Sequence, residues 1–157
     1  MDIDFSLDAS EAKRLFTQIA ERTAHFGDVF MLAREYLRAA WSANFAGNGF
    51  MVGGWAPLAP ETAAWKAKHG YPLNPLIGNG NLMRSLLSMA GPANDIGSHS
   101  ASFGTTVDYA HFHQTGTRHM PKREIVFDPP GFANVLAEAT AHHLMPGGLA
   151  EFKGSFR

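Results

Sequence analysis

A helical stripe that ends abruptly constrains this chain more than any other feature. Apolar residues recur at Leu15, Ile19, Phe26, Phe30, Ala33, Leu37 and Trp41. Their steps of 4, 7, 4, 3, 4 and 4 track one face of an α-helix. Gly27, between His25 and Asp28, interrupts the stripe. The spacing therefore predicts two helices, over about 9–25 and about 28–46, or one helix with a bend. Asp8 or Ser10 is placed to cap the first, and Gly47-Asn48-Gly49 ends the second.

Past that stop the chain is punctuated too densely for another long element. Residues 47–60 hold four glycines and two prolines, yet also Phe50, Met51, Val52 and Trp55. An apolar loop packs on something, and for Trp55 and Trp65 the core and the partner surface are both open readings. Pro60-Glu61-Thr62 predicts a short helix through about Lys68. Asn79 or Asn81 is placed to cap another that holds Leu82, Met83, Leu86 and Leu87. Alternation then predicts a strand pair over about 93–99 and 101–106. A helical turn fits Tyr109 to Thr115, and a strand fits Arg123 to Phe127 before Pro129-Pro130-Gly131. Phe132, Val135, Leu136, Ala139 and His143 form one face of a last helix, about 131–145. The expectation is an α+β domain over residues 1–145: a long N-terminal helical segment on a small, mostly antiparallel sheet, with a C-terminal helix. Residues 146–157, after Pro146-Gly147-Gly148, read as a flexible tail.

Composition narrows the function. With 45% hydrophobic and 17% charged residues the chain is globular, not disordered. Thirteen basic and 14 acidic residues give a net charge of −1, which offers no excess to neutralise a phosphate backbone. The absence of cysteine removes disulfides and thiolate metal sites. The acidic start Met1-Asp2-Ile3-Asp4 predicts no signal peptide, and the lack of a long apolar run predicts no membrane span.

The histidines raise one enzymatic alternative. On a strand, His111 and His113 share a face and would serve a small metal-dependent hydrolase. On a helix they diverge by about 200°. No HExxH spacing, G-x-S-x-G elbow or P-loop accompanies them, and hydrogen-bonded or solvated histidines are the default. Asp108 and Glu124 are the nearby carboxylates.

Four segments in order carry a more specific signal. They are Gly54-Trp55-Ala56-Pro57-Leu58-Ala59-Pro60-Glu61-Thr62 with Lys66; Pro75 to Leu86, containing Gly80, Leu82 and Ser85; Gly104 to Gly116, containing Tyr109, Ala110, His113 and Gln114; and Pro121-Lys122-Arg123. Together, over about residues 54–127, they resemble the virion-morphogenesis or tail-completion family of contractile-tailed phages. Asn79 departs from that family's usual threonine, and Glu124-Ile125-Val126 from its usual proline and phenylalanine.

The resemblance implies a non-enzymatic subunit without cofactor. It would form a ring with itself, most plausibly a homohexamer, that caps the tail and stabilises head–tail joining. Its partners would be other neck proteins and the tail tube, sheath or portal-side adaptor, with DNA only passing through the channel. It would reside in the virion, after assembly in the host cytoplasm. The motif residues also have physical roles of their own. Pro57 stiffens an apolar hook around Trp55, Gly80 and Gly116 allow turns, and His113 and Gln114 offer hydrogen bonds to loop backbone. Arg123 is placed to meet a neighbouring carboxylate. Elemental analysis of the purified protein is expected to find no stoichiometric zinc or manganese; such a metal, lost in His113→Ala, would overturn the structural reading of the histidines.

Overall fold

The computed structural model describes residues 10–145. The chain is α+β and mostly helical. Six helices, α1 (Ser10–Thr23), α2 (Gly27–Ala46), α3 (Pro60–Lys68), α4 (Asn81–Leu87), α5 (Ala110–Thr115) and α6 (Phe132–Leu144), accompany one antiparallel pair, β1 (Asp95–Ile96) and β2 (Ala101–Ser102). Asp8 and the segment 146–157 lie outside the described residues.

The apolar stripe divides at Gly27. On α2 it is the core: Ala33, Leu37, Trp41 and Phe45 are buried, and the helix packs on α4, α6 and β1. On α1 it is not. No residue of α1 is buried, and Leu15 and Phe16 are exposed. The helix is held near its C-terminal end, where Arg22 donates through Nη1 to the carbonyls of His143 and Met145, and His143 Nε2 donates to Arg22 O at 3.1 Å. The break at Gly27 expected from the sequence is present, and the two helices differ in depth. The break frees α1 to turn away onto α6, so its periodicity reports amphipathicity without full burial.

The main core gathers Leu37, Trp41, Phe45, Trp55, Leu82, Leu86 and Ile125. A second cluster joins Val29 of α2 to Ala139 of α6. The strands are shorter than the alternation suggests, and the reason is local. Past Asp95, the side chain of Asn94 replaces the next ladder rung: its Nδ2 donates to Gly104 O and its Oδ1 accepts from Gly104 N, both at 3.1 Å. At the other end the hairpin tip is tied to the α1–α2 junction by Phe26 N–H donating to Ser98 O at 2.8 Å.

The loop after α2 turns on Gly49, whose φ is +86°. A Cβ there would lie 2.4 Å from Trp55 Cδ1, so only glycine lets the indole lie against the turn. Trp55 N–H then donates to Asn48 O at 2.8 Å.

Arg123 to Phe127 is not a strand. Its buried backbone groups are paired instead by side chains and loops, as buried main chain must be paired. Gln114 Oε1 accepts from Ile125 N and Val126 N at 2.9 and 3.0 Å, and its Nε2 donates to Val126 O at 2.7 Å. Trp41 Nε1 donates to Phe127 O at 3.1 Å, Trp55 Nε1 to Glu124 O at 2.8 Å, and Arg123 N to His113 O at 2.7 Å. The apolar pattern of a strand is present, but the neighbouring strand is replaced by one amide and two indoles. Gln114→Ala is expected to destabilise the fold by about 2–4 kcal/mol in urea denaturation, since it strands three half-buried main-chain groups. An alanine effect within about 0.5 kcal/mol, as for an ordinary surface site, would refute this account.

Candidate functional site

The four motifs meet around one open cleft of about 740 Å³. The first motif contributes Pro57, Leu58, Thr62 and Lys66, and the second Gly80 and Leu82. Tyr109 and His113 come from the third, Pro121 and Arg123 from the fourth. Trp55, Ser85, Ala110, Gln114 and Gly116 stand outside the lining. Trp55 and Ala110 belong to the core beneath it, which answers the open question about that tryptophan. Trp65 is not in the core: it is 53% exposed and stacks with His69 and with Tyr71, ring centroids 4.4 and 5.4 Å away.

Two cations are built into the frame. Lys66 is 7% exposed, and its Nζ donates to Asn74 O at 2.8 Å and Ile77 O at 2.7 Å. Those carbonyls bracket Leu76, which sits in the left-handed region at φ 62°. The ammonium thus holds a turn that a branched residue otherwise resists. Burial pushes the Lys66 pKa down. Arg123 is also 7% exposed; its Nε donates to Ala56 O at 2.9 Å and its Nη2 to Pro57 O at 3.0 Å. The carboxylate anticipated for Arg123 is absent among the described residues, because the rigid Ala56-Pro57 backbone presents two carbonyls to the guanidinium first. Burial lowers its pKa too.

The turns follow their glycines. Gly80 has φ 79° and precedes α4. Asn81 is the first residue of that helix and no cap; Asn79 Oδ1 accepts from its N–H at 3.2 Å. Gly116 has φ 78°, and a Cβ there would come within 2.9 Å of Lys122 N. Ser85 Oγ shares a 2.7 Å hydrogen bond with Thr105 Oγ1, which fixes α4 to the loop after β2.

His111 and His113 lie on α5, where their positions diverge. His111 is exposed, its Nδ1 hydrogen-bonded to Asp108 O at 2.7 Å. His113 is half-buried and edge-on to Tyr109. It does not bind loop backbone through its ring as expected of it: Nδ1 is buried without a partner, and the contact is made by its main-chain carbonyl. Among the described residues no three His, Asp or Glu gather as a metal-binding group. Glu124 instead pairs with Lys122 at 2.9 Å. No helix among the described residues is long and apolar enough to cross a membrane.

Sequence reasoning gave Gly49, Asn74, Leu76 and His119 none of the roles the structure shows. Gly49 looked like a simple helix stop, and its contact with Trp55 is visible only in three dimensions. Asn74 accepts from Lys66 through its main-chain carbonyl and Leu76 is marked by its positive φ, neither of which residue type reveals. His119 joins the cleft through the turn closed by Thr117 and Met120.

Compared with protein-family models, with curated proteins and with solved structures, the chain matches none.

Burial, and secondarily the Arg123 charge, hold the His113 pKa below its ordinary 6.5. The unfolded chain therefore takes up this proton at a higher pH than the folded one. Its contribution to stability is complete above pH 6.5 and is lost as pH falls from there through the folded value. His113→Gln is expected to flatten that part of the stability profile, read by urea unfolding at steps of pH below neutrality; an unchanged acid slope would place the sensitivity elsewhere.

Proposed function

We propose that this protein is a structural subunit of the head–tail junction of a contractile-tailed phage: a tail-completion protein that forms a ring with copies of itself, caps the tail and stabilises its joining to the head. The observation that carries the reading is the use made of the polar motif residues. Trp55, Lys66, Gln114 and Arg123 each hold main-chain carbonyls with side-chain donors. Residues used in this way fix shape. They are not free to transfer protons or attack a substrate, as the groups of a reaction centre must be.

Surface chemistry supports the same reading. Phe50, Trp65, Tyr71 and Leu73 are exposed around the connecting loops, and Phe16 and Met31 on the helical side. A ring built from one kind of subunit uses two unlike surfaces on each copy, and apolar and aromatic side chains at the surface suit such contacts. The net charge of −1 fits a part that DNA passes without being gripped.

An assembly part fails at its own joint. Phage lacking this protein are expected to fill heads and polymerise tails that remain separate or join only as unstable particles, seen by electron microscopy of lysates. Empty heads beside normal tails would move the role to packaging, and joined, infectious particles would remove the assignment. Arg123→Glu does not isolate an interface in this test, because the side chain is a buried clamp and its reversal would disturb the fold.

A further inference from the structure

The cleft carries more positive charge than its own residues balance. Lys66 and Arg123 both line it, each 7% exposed, and neither forms an ion pair among the described residues. Two of the three ammonium donors of Lys66 go to carbonyls, as do two of the five guanidinium donors of Arg123. Carbonyl dipoles offset part of the desolvation and leave the net charge in place. His113 and His119 line the same cleft, and among the described residues no Asp or Glu does. Buried cations without a counter-ion are unfavourable, and an arriving carboxylate relieves them. The remaining wall is apolar, with Leu58, Ile77, Leu82 and Met120. The matching ligand is an extended peptide with carboxylates on one face and apolar side chains on the other.

The chain contains such a peptide. Residues 2–8 read Asp-Ile-Asp-Phe-Ser-Leu-Asp: three carboxylates, three apolar side chains and no cation. In extended geometry alternate residues share a face, which puts Asp2, Asp4 and Asp8 on one side and Ile3, Phe5 and Leu7 on the other. We infer that the cleft is a docking site for this segment, donated by a neighbouring copy. The choice of a second copy rests on the ring reading above. It is also favoured by α1, which follows the segment directly, packs on α6 and contributes no residue to the cleft. Each copy would then donate at one surface and accept at another, the head-to-tail arrangement that closes into a ring.

The test uses the full chain carrying Asp2→Asn, Asp4→Asn and Asp8→Asn together. Sedimentation velocity compares its self-association with that of the wild type. A fluorescent peptide of residues 1–9 is titrated onto the variant, with circular dichroism to verify folding. The expected result is weaker self-association of the variant and saturable binding of the peptide. That binding should fall at least about tenfold with the Asn-substituted peptide and with a further His119→Glu at the exposed rim of the cleft, and should weaken with salt. Absence of saturable binding, binding indifferent to His119→Glu, or equal competition by free acetate would overturn the dock. Equal self-association of wild type and variant would overturn the dock and leave the ring standing. A wild type that stays monomeric while binding the peptide would overturn the second copy as occupant, and the ring with it.

Discussion

The structure depends on a reciprocal clamp between two loops that are distant in sequence. Trp55 sends its indole N–H to the carbonyl of Glu124, and Arg123 sends its guanidinium back to the carbonyls of Ala56 and Pro57. Each loop satisfies the other's main chain. Neither has a sheet to join, so without the clamp both would bury unpaired carbonyls, at a cost of about 1–3 kcal/mol for each group left unsatisfied. The clamp also sets the floor of the cleft, because Ile125 and Trp55 enter the core side by side with Phe45 and Leu86. The ring of Trp55 meets Phe45 edge-on at 5.2 Å, so the hook is anchored by packing as well as by hydrogen bonds.

Gln114 extends the same device. An amide side chain with one acceptor and one donor facing Ile125 and Val126 imitates the edge of a strand. Asn94 does this again at Gly104. A chain with so little sheet thereby keeps extended segments buried without a ladder. The register of these segments is set by particular side chains, Gln114 and Asn94.

The helices were legible because their signals are periodic and local. Pro60, Gly131 and the stop at Gly47 fall where the elements begin or end, and the predicted face of α6 is the one turned inward. The strand expected at Arg123–Phe127 was not legible as a loop, since its residues carry the alternation of a strand and differ only in what pairs with their backbone. The partner of Arg123 was misjudged for a related reason. Charge suggests a carboxylate, whereas two carbonyls held rigid by Pro57 compete well for a planar fork of donors. The exposure of α1 was not legible, because periodicity shows which face is apolar and is silent on whether anything covers it. The motif residues themselves were legible as a set: ten of the fifteen line one cleft and two others lie in the core beneath it. What no spacing conveyed is that, among the described residues, no carboxylate lines the cleft they build.

That imbalance connects the frame to the surface. Lys66 and Arg123 are needed inside the loops because carbonyls converge there and only cations or N–H groups can meet them. A neutral amide would satisfy the same carbonyls with less desolvation, as Gln114 does a few residues away. Retaining two cations instead costs stability in the isolated chain, in the direction that both lowered pKa values express. Such a cost is recovered where a negative group from outside completes the site. The acidic residues of the described chain lie elsewhere, some of them committed to their own pairs at Glu35 and Glu124. In the proposed ring a neighbour's carboxylates would supply that negative group, so assembly would stabilise each subunit further.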